Sequence, residues 1–272
     1  QPSWLLHRLR PRRPLQSRYR TTPDGLEAES TWGRHVLFRH RFRLPDRLEL
    51  DLLPDLPTLR ERCRDLNRND GLAGGLTELM VDNIIGTGIR PQSRVNPKRL
   101  GITPEEAKDW QRACDDVWSE WAKESDASSR LDFYGQQRLL LRSSLENGDS
   151  FVHPVFMPAE RDRTLRTALE VIEADRIDTP NQQGTPTTPY QFGDETKFRM
   201  GVEIGDYNEP VAYWVADRHP GLFNNSAIPF TRVPRVDAAG RPGMLHVYRQ
   251  MRPGQTRGEP LFKSVLGLFD DL

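Results

Sequence analysis

The sequence has few cysteines and no long apolar run. Its two cysteines, Cys63 and Cys114, lie far apart in polar stretches of helical periodicity, and neither belongs to a Cys-x-x-Cys pair. This excludes a disulfide framework and a zinc knuckle, and it makes a reducing compartment the expected surrounding. Charges interrupt every apolar run, and the arginine-rich start has no apolar signal-peptide core. We therefore expect a soluble, cytoplasmic protein with no membrane span.

Residue types found in catalytic and metal sites occur without the spacing that such sites need. The six histidines form no His-x-His or His-Glu-x-x-His pattern, and no Gly-x-Ser-x-Gly elbow is present. Cys114 faces a tryptophan stripe, where it should behave as a small apolar residue. His153 and His246 fall in predicted strands as structural histidines, while the acidic pairs Asp115–Asp116 and Asp270–Asp271 point to different sides of helices. We predict no catalytic residue, no metal ligand and no cofactor.

The charges balance over the whole chain but not at its start. There are 39 basic and 39 acidic residues among 272, so no overall field attracts nucleic acid or membrane. Residues 1–48, in contrast, contain eleven arginines, no lysine and four acids. This stretch has no sustained periodicity, apart from a possible short strand at Val36–Phe42. We interpret residues 1–48 as an extended basic arm that becomes ordered on a partner surface.

Aromatic residues are interleaved with the arginines of the arm. Arginine and large aromatic side chains are the types enriched at the anchors of protein interfaces. A stretch that only held phosphate would need the charge but not the rings, although base stacking could use them. We expect the arm to bind protein rather than DNA, the alternative being a disordered basic tail. The candidate partner-binding residues are Arg10, Arg12, Arg13, Trp32 and Phe38.

Apolar residues at helical spacing predict four helices, which are Leu56–Arg68, Leu76–Ile85, Pro104–Lys123 and Gly135–Glu146. The third is the best defined, because Thr103 can serve as its N-cap and Glu106 completes a capping box. One apolar stripe on this helix, expected to pack in the core, comprises Trp110, Cys114, Val117, Trp118 and Trp121. The same helical spacing recurs at Leu72, just before the second helix, and within that helix at Leu76, Leu79, Met80 and Ile84.

The stretch VDNIIGTGIRP has two glycines after an apolar run, as many phosphate-binding loops do. In a dinucleotide site the glycines follow a strand and open a helix. Here they close a helix, since Gly86 suits a left-handed cap, Gly88 a following turn and Pro91 a stop. No third glycine and no Lys-Ser/Thr pair follow. We interpret Gly86 and Gly88 as a structural helix cap rather than a nucleotide site.

After Gly148 the apolar period changes to two. Short strands are predicted at Phe151–Phe156, Leu169–Glu173, Phe198–Ile204, Val211–Ala216 and Met244–Tyr248. The segment MGVEIGDYNEPVAYWVA predicts a hairpin whose polar turn is Asp206–Glu209. The expected fold class is α+β, with a helical half followed by a mostly antiparallel sheet.

Six phrases, taken in order, resemble the lambda-type portal proteins of tailed bacteriophages. They are LPTLRERCRDLNRNDGLAGGLTELMVDNIIGTGIRPQ, Trp118-x-x-Trp121, LLLRSSLENGDSFV, LEVIEADRIDTP, GVEIGDYNEPVAYWV followed by HPG, and MLHVYRQMRPGQTRGEPLF. The resemblance covers residues 56–272, and residues 1–48 match only loosely. It implies that residues 49–272 form the portal wing region, with the stem, clip, channel loop and crown expected beyond the end of this chain.

The resemblance also implies a function. Portal proteins form a ring, usually of twelve copies, at one capsid vertex, and double-stranded DNA enters and leaves through the channel. The expected partners are other copies, the major capsid protein, the terminase that hydrolyses ATP, and a head-tail connector protein. The protein is then no enzyme, is assembled in the host cytoplasm and resides in the virion. Two alternatives remain: a nuclease-like DNA-processing enzyme and a monomeric nucleic-acid-binding module that uses the arm.

Overall fold

The computed structural model describes residues 19–22, 25–28, 48–161, 163–179, 198–219 and 228–266, with side chains from Asp55 onward. Contacts divide the chain into two units, Gln1–Leu48 and Glu49–Leu272. In the first unit, strands β1 (Tyr19–Thr22) and β2 (Gly25–Ala28) form an antiparallel hairpin. The strand expected at Val36–Phe42 lies outside the described residues.

The second unit begins with helices, as the sequence predicts. They are α1 (Leu48–Asn69), α2 (Gly71–Ile85), α3 (Pro97–Leu100), α4 (Pro104–Lys123) and α5 (Phe133–Asn147). The prediction began α1 at Leu56, whereas the observed helix begins at Leu48 and includes Pro54 and Pro57. The capping box of Thr103 and Glu106 is confirmed at the start of α4.

Helix α2 buries its small residues rather than its leucines. Asp70 caps the helix by accepting from the backbone N–H groups of Leu72 and Ala73, both at 2.8 Å. The buried residues are Ala73, Thr77 and Val81. Leu76, in the middle of the periodic set, lies on the exposed side. The spacing predicted the helix correctly but does not identify the side that is covered.

Two antiparallel sheets follow, where the sequence predicted one. The first has the order β4-β3-β9, and the second has the order β5-β6-β7-β8. Their strands are β3 (Asp149–Phe156), β4 (Thr167–Ile172), β5 (Phe198–Arg199), β6 (Val202–Ile204), β7 (Pro210–Ala216), β8 (Phe230–Pro234) and β9 (Leu245–Tyr248). Strand β8 was not predicted, and the strand expected at Phe198–Ile204 is divided by a turn at Met200–Gly201, where both residues have positive φ. The predicted β6–β7 hairpin is confirmed.

The core lies between the two sheets. The ring of Phe151 in β3 meets the ring of Tyr213 in β7 edge to face, with 5.8 Å between centroids. Around this pair, one buried cluster joins residues of both sheets: Ile172, Ala174, Ile177, Val202, Ile204, Val215, Val233 and Met244. Helix α5 also contacts the first sheet, because Ser144 Oγ of α5 lies 2.9 Å from Ser150 Oγ of β3. The second unit is therefore layered, and α5 joins its helices to its sheets.

The tryptophan stripe of α4 is only partly in the core. Trp118 and Trp121 pack against Phe133 at the start of α5, with ring centroids 4.8 and 5.4 Å from the phenyl ring. In contrast, Trp110 is 57% exposed and Val117 is 51% exposed. The expectation that the whole stripe packs in the core is wrong for these two residues, because no described element covers that flank of α4.

Candidate functional site

One carboxylate and two arginines form a charged group without access to solvent. Asp149, Arg257 and Arg60 expose 0%, 0% and 1% of their surface. Asp149 opens strand β3, and its Oδ1 accepts from Arg60 Nη2 at 2.8 Å. Its Oδ2 accepts from Arg257 Nε at 2.7 Å and from the backbone N–H of Gly258 at 3.2 Å. We call Asp149, Arg60 and Arg257 the charge junction.

The remaining guanidinium donors of the charge junction bind backbone carbonyls. Arg257 donates to the carbonyl oxygens of Ile177 and Ala174, at 2.9 and 3.0 Å. Arg60 donates through Nε to the carbonyl oxygen of Asn147, at 2.9 Å. These carbonyls lie at the end of α5 and around the 3₁₀ helix Ala174–Arg176. The junction thus ties α1, α5, strand β3 and the segment after β9 into one body.

Burial and charge oppose each other in setting the protonation of the junction. Burial by itself raises the pKa of Asp149, but the positive charges of Arg257 and Arg60 dominate and hold that pKa far below its usual range. Burial, together with the charge of Arg257, lowers the pKa of Arg60 to about 10. Asp149 is therefore ionised and Arg60 stays charged at neutral pH, so the buried carboxylate has a compensating positive charge.

His246 of β9 lies beside the junction. Its ring stacks between Phe151 and Tyr248, at centroid distances of 4.2 and 4.3 Å, and its Nε2 lies 3.5 Å from Asp149 Oδ2. Burial lowers the pKa of His246 despite the nearby carboxylate, so the imidazole is neutral at pH 7. His246 therefore acts in packing. His153, the other histidine predicted in a strand, places its Nδ1 2.6 Å from the carbonyl oxygen of Gly243.

A more exposed group of charges, centred on Asp175, lies next to the charge junction. Arg64 Nη1 lies 2.5 Å from Asp175 Oδ2, and Arg60 Nη1 lies 3.6 Å from Asp175 Oδ1. His219 Nε2 is 3.5 Å from the same carboxylate. Burial opposes ionisation of Asp175, but the hydrogen bond and charge of Arg64 outweigh it and lower the pKa. Because Arg64 of α1 and His219 both lie at Asp175, the network extends from α1 to the segment after strand β7.

This arrangement suits a structural role better than a chemical one. The oxygens of Asp149 are occupied by guanidinium and amide donors, and no solvent reaches them, so the carboxylate is not placed to transfer protons or bind a metal ion. Within the described ranges, no three His, Cys, Asp or Glu side chains are placed to hold a metal. None of the helices in those ranges is long and apolar enough to cross a membrane.

Gly86 and Gly88 lie at the end of α2. Gly86 is the C-cap, with φ +55° and ψ −122°, and its N–H donates to the carbonyl oxygen of Asp82 at 3.0 Å. Its ψ differs from that of the left-handed helical cap expected from the sequence. Gly88 has φ +106°, and a Cβ there would overlap the ring of Tyr134 in α5. Gly88 is therefore more constrained than Gly86, because both its positive φ and its packing against Tyr134 require a residue without a side chain.

The chain is similar to known phage proteins. The phage portal protein family of lambda type matches residues 42–272. The chain belongs to this family. It is 30% identical over 220 residues both to the portal protein of Escherichia phage N15 and to portal protein B of Escherichia phage lambda. It is 28% identical over 218 residues to a probable portal protein of Halomonas phage phiHAP-1.

The matches cover most of this chain but less than half of each relative. They include 79% of the chain and 39% of the N15 and lambda proteins, and 75% of the chain and 36% of the phiHAP-1 protein. The chain thus spans about two fifths of the length of the portal proteins that it matches. The arm candidates Arg10, Arg12, Arg13, Trp32 and Phe38 lie outside the described residues.

The charge junction was missed by the sequence analysis, although the phrases that carry the portal resemblance contain it. Arg60 stands in LPTLRERCRDL, Asp149 in LENGDSFV, and Arg257 in GQTRGEPLF. Asp175 belongs to LEVIEADRIDTP, and His219 to the HPG phrase. Five of the six phrases therefore supply at least one charged or titratable group to this network, and only Trp118-x-x-Trp121 supplies none. The charged residues in these phrases were the available signal, but sequence alone does not show which of them meet.

Proposed function

We propose that the protein is a portal subunit that forms a closed ring of about twelve copies at a single capsid vertex. Double-stranded DNA passes through the channel of this ring during packaging and ejection. The match of residues 42–272 to the phage portal family carries the proposal. The three similar phage proteins, each named as a portal or probable portal protein, support it.

The charge junction fits the mechanical demands of such a role. A ring that holds a packaged genome needs subunits that keep their shape under load. The junction joins α1 and the end of α5 to the sheets by ionic hydrogen bonds that exclude solvent. Buried hydrogen bonds to charged groups are stronger than neutral ones and are costly to break singly. They favour a subunit that moves as one body.

In this proposal the protein is a scaffold and not an enzyme. The terminase hydrolyses ATP and moves the DNA, while the ring provides the passage and a symmetric attachment site. The other partners are the major capsid protein and a head-tail connector protein. The subunits assemble in the host cytoplasm and remain in the virion. The buried, fully paired state of Asp149 supports this assignment, because its carboxylate is held for structure.

The basic arm, residues 1–48, is proposed to hold a protein surface. Its eleven arginines and its aromatic residues suit an interface with a neighbouring subunit or the inner capsid wall. Arg10, Arg12 and Arg13 would pair with acids there, and Trp32 and Phe38 would supply apolar anchors. Strong static binding of DNA would oppose its passage through the ring, which favours protein as the partner.

The oligomeric state tests the proposed function. Mass photometry and negative-stain projection images of the natural full-length protein should show closed rings of about twelve subunits. A protein that remains a monomer or dimer across protein concentration and salt contradicts the proposal. The same measurement separates the alternatives, since neither a nuclease-like enzyme nor a monomeric nucleic-acid-binding module requires a closed ring.

Deletion of residues 1–48 tests the arm. Ring stability or capsid incorporation should fall, while DNA retention by preformed rings stays nearly unchanged. As a matched control, the arginines of the arm can be replaced by lysine, which preserves charge but weakens bidentate pairing. If the truncated protein assembles normally and loses a salt-dependent affinity for DNA, the arm is a DNA-binding element and the assignment to protein is wrong.

A further inference from the structure

One side of α2 consists of large apolar residues that no described element covers. Leu72, Leu76 and Leu79 follow one another at helical spacing and are 64%, 41% and 58% exposed. Ile84 near the end of the helix and Ile89 just after it are 52% and 58% exposed. The three leucines, which share one side of the helix, expose on the order of 300 Å², within the range of about 300–600 Å² for the largest patches on monomers.

The contacts of α2 fix this leucine face outward. Its opposite side buries Ala73 and Val81. The helix is also linked to α5, because Arg138 Nη2 lies 2.5 Å from Asp82 Oδ1 and Arg142 pairs with Glu78. A rotation of α2 that buried the leucines would break all of these contacts. The leucine face, defined as Leu72, Leu76 and Leu79, is therefore a constant feature of the subunit surface.

Helix α4 presents a second uncovered apolar stripe. Trp110 and Val117 are 57% and 51% exposed and lie two helical turns apart on the same flank. Trp118 and Trp121, on the same side nearer the end of α4, are held against Phe133 of α5, which fixes the orientation of that side. We call Trp110 and Val117 the α4 stripe. A single subunit thus carries two separate apolar faces, both oriented by α5.

Helix α2 itself carries two acids, Glu78 and Asp82, and both are paired with arginines of α5. The charges of the segment that follows α2 and those of α4 are opposite in sign. Helix α4 contains six acids and three bases. The segment that continues from α2, Gly86–Gly101, contains four bases and no acid, and all four bases are exposed. An isologous contact would place like charges together, whereas a contact between the two different faces places opposite charges together. The charge pattern favours a heterologous, head-to-tail arrangement.

We propose that the leucine face of one subunit packs against the α4 stripe of the next copy around the ring. This inference rests on the proposed portal function and identifies the surfaces by which the copies join. A stable interface buries about 800 Å² on each partner, with an apolar centre and a polar rim. The leucine face supplies a centre of suitable size, and the bases of Gly86–Gly101 and the acids of α4 supply the rim.

Photo-crosslinking in the natural full-length protein tests the contact directly. Leu76 is replaced by the photoreactive amino acid p-benzoylphenylalanine, and Tyr207, which is 91% exposed on the β6–β7 turn, receives the same replacement as a control. Irradiated rings made from mixed light and heavy isotope-labelled subunits should give crosslinks from position 76 to Pro104–Lys123 of a different subunit. A crosslink from position 76 to a later segment of its own chain, or to another protein, overturns the inference.

Complementation of two variants tests the head-to-tail arrangement. Leu76→Glu and Trp110→Glu should each raise the protein concentration needed for assembly roughly tenfold or more, because a charge is placed in the apolar centre. A mixture of the two variants retains one intact contact between subunits. This contact joins the α4 stripe of the Leu76→Glu chain to the leucine face of the Trp110→Glu chain. The mixture should therefore form one-to-one dimers but few rings. Tyr207→Glu should assemble as the wild type does.

The outcomes separate this inference from the proposed function. Wild-type rings together with unimpaired assembly of both variants leave the portal function standing and overturn the assigned contact. A wild-type protein that forms no ring overturns the function and this inference with it. Since Leu76 and Trp110 are exposed, the thermal unfolding of the variants should match the wild type. If Leu76→Glu unfolds at a much lower temperature, the leucine face is covered within the subunit and the inference is wrong.

Discussion

Replacement of Arg257 by methionine should be one of the most destabilising single changes in the described part of the chain. Arg257 is completely buried, and its guanidinium donates to Asp149 Oδ2 at 2.7 Å and to the carbonyl oxygens of Ile177 and Ala174. Methionine fills a similar volume but donates no hydrogen bond. The variant therefore keeps the packing and removes the charge and the donors.

The magnitude follows from what remains. Asp149 keeps its ion pair with Arg60 but loses one charged hydrogen-bond donor, and the carbonyl oxygens of Ile177 and Ala174 each lose a donor. A hydrogen bond to a charged group contributes about 1.5–3 kcal/mol, and each buried polar group left without a donor costs about 1–3 kcal/mol. Because relaxation and water entry recover part of this, we expect a net loss of about 4 kcal/mol, set against a total stability of about 5–15 kcal/mol for a typical domain.

Urea unfolding followed by tryptophan fluorescence measures the loss. Arg232→Met is the matched control, because Arg232 also makes a two-bond contact with a carboxylate, at 2.8 and 3.0 Å from Glu203, but is 43% exposed. It should lose less than about 1 kcal/mol. Arg257→Lys keeps the charge without the fork and should fall in between. Equal losses for Arg257→Met and Arg232→Met would refute the reasoning, since burial would then have no effect.

Three further predictions concern single sites. Gly88→Ala should cost about 2 kcal/mol or more in urea unfolding and Gly86→Ala only about 1 kcal/mol, because a Cβ at Gly88 overlaps Tyr134 whereas one at Gly86 lies 3.7 Å from the nearest oxygen; the reverse order would contradict the assigned packing. Burial raises the pKa of Cys63 to about 11, so its labelling by a thiol reagent at pH 8 should follow unfolding, and fast labelling of the folded protein would contradict its burial. The pKa of Asp149 is depressed in the folded state, so its contribution to stability is present above its unfolded pKa of about 3.9 and is lost as the pH falls further; the Arg257→Met variant should show a weaker decline in that acid range than the wild type, and identical acid titrations of unfolding would count against this coupling.

Local patterns predicted the order of elements well. The capping residues Thr103 and Glu106 fixed the start of α4, and the alternation at Val202 and Ile204 fixed a strand. These signals succeed because the residues that produce them lie within one turn or one strand. The resemblance to lambda-type portal proteins could likewise be recognised from the sequence, because phrases in a fixed order identify a family without knowledge of which residues are in contact.

Long-range pairing was beyond those patterns. Asp149 meets Arg60 from 89 residues away and Arg257 from 108 residues away. No periodicity encodes such a meeting, and a lone charged residue in a phrase is compatible with an exposed position. The side of α2 that is buried could not be predicted for a related reason. A helix that is apolar on several sides can bury any of them, and here close approach to neighbouring helices selected Ala73 and Val81 rather than Leu76.

Changes at the charge junction and changes on the leucine face should have different effects. Helix α5 holds α2 through Arg138 and Asp82, holds α4 through Phe133, and ends at the charge junction through the carbonyl oxygen of Asn147. Both apolar faces are thus positioned by a helix that the junction anchors. A change at the junction should lower subunit stability and ring assembly together, since it releases α5. A change on the leucine face should lower ring assembly alone, because no contact within the described subunit depends on it.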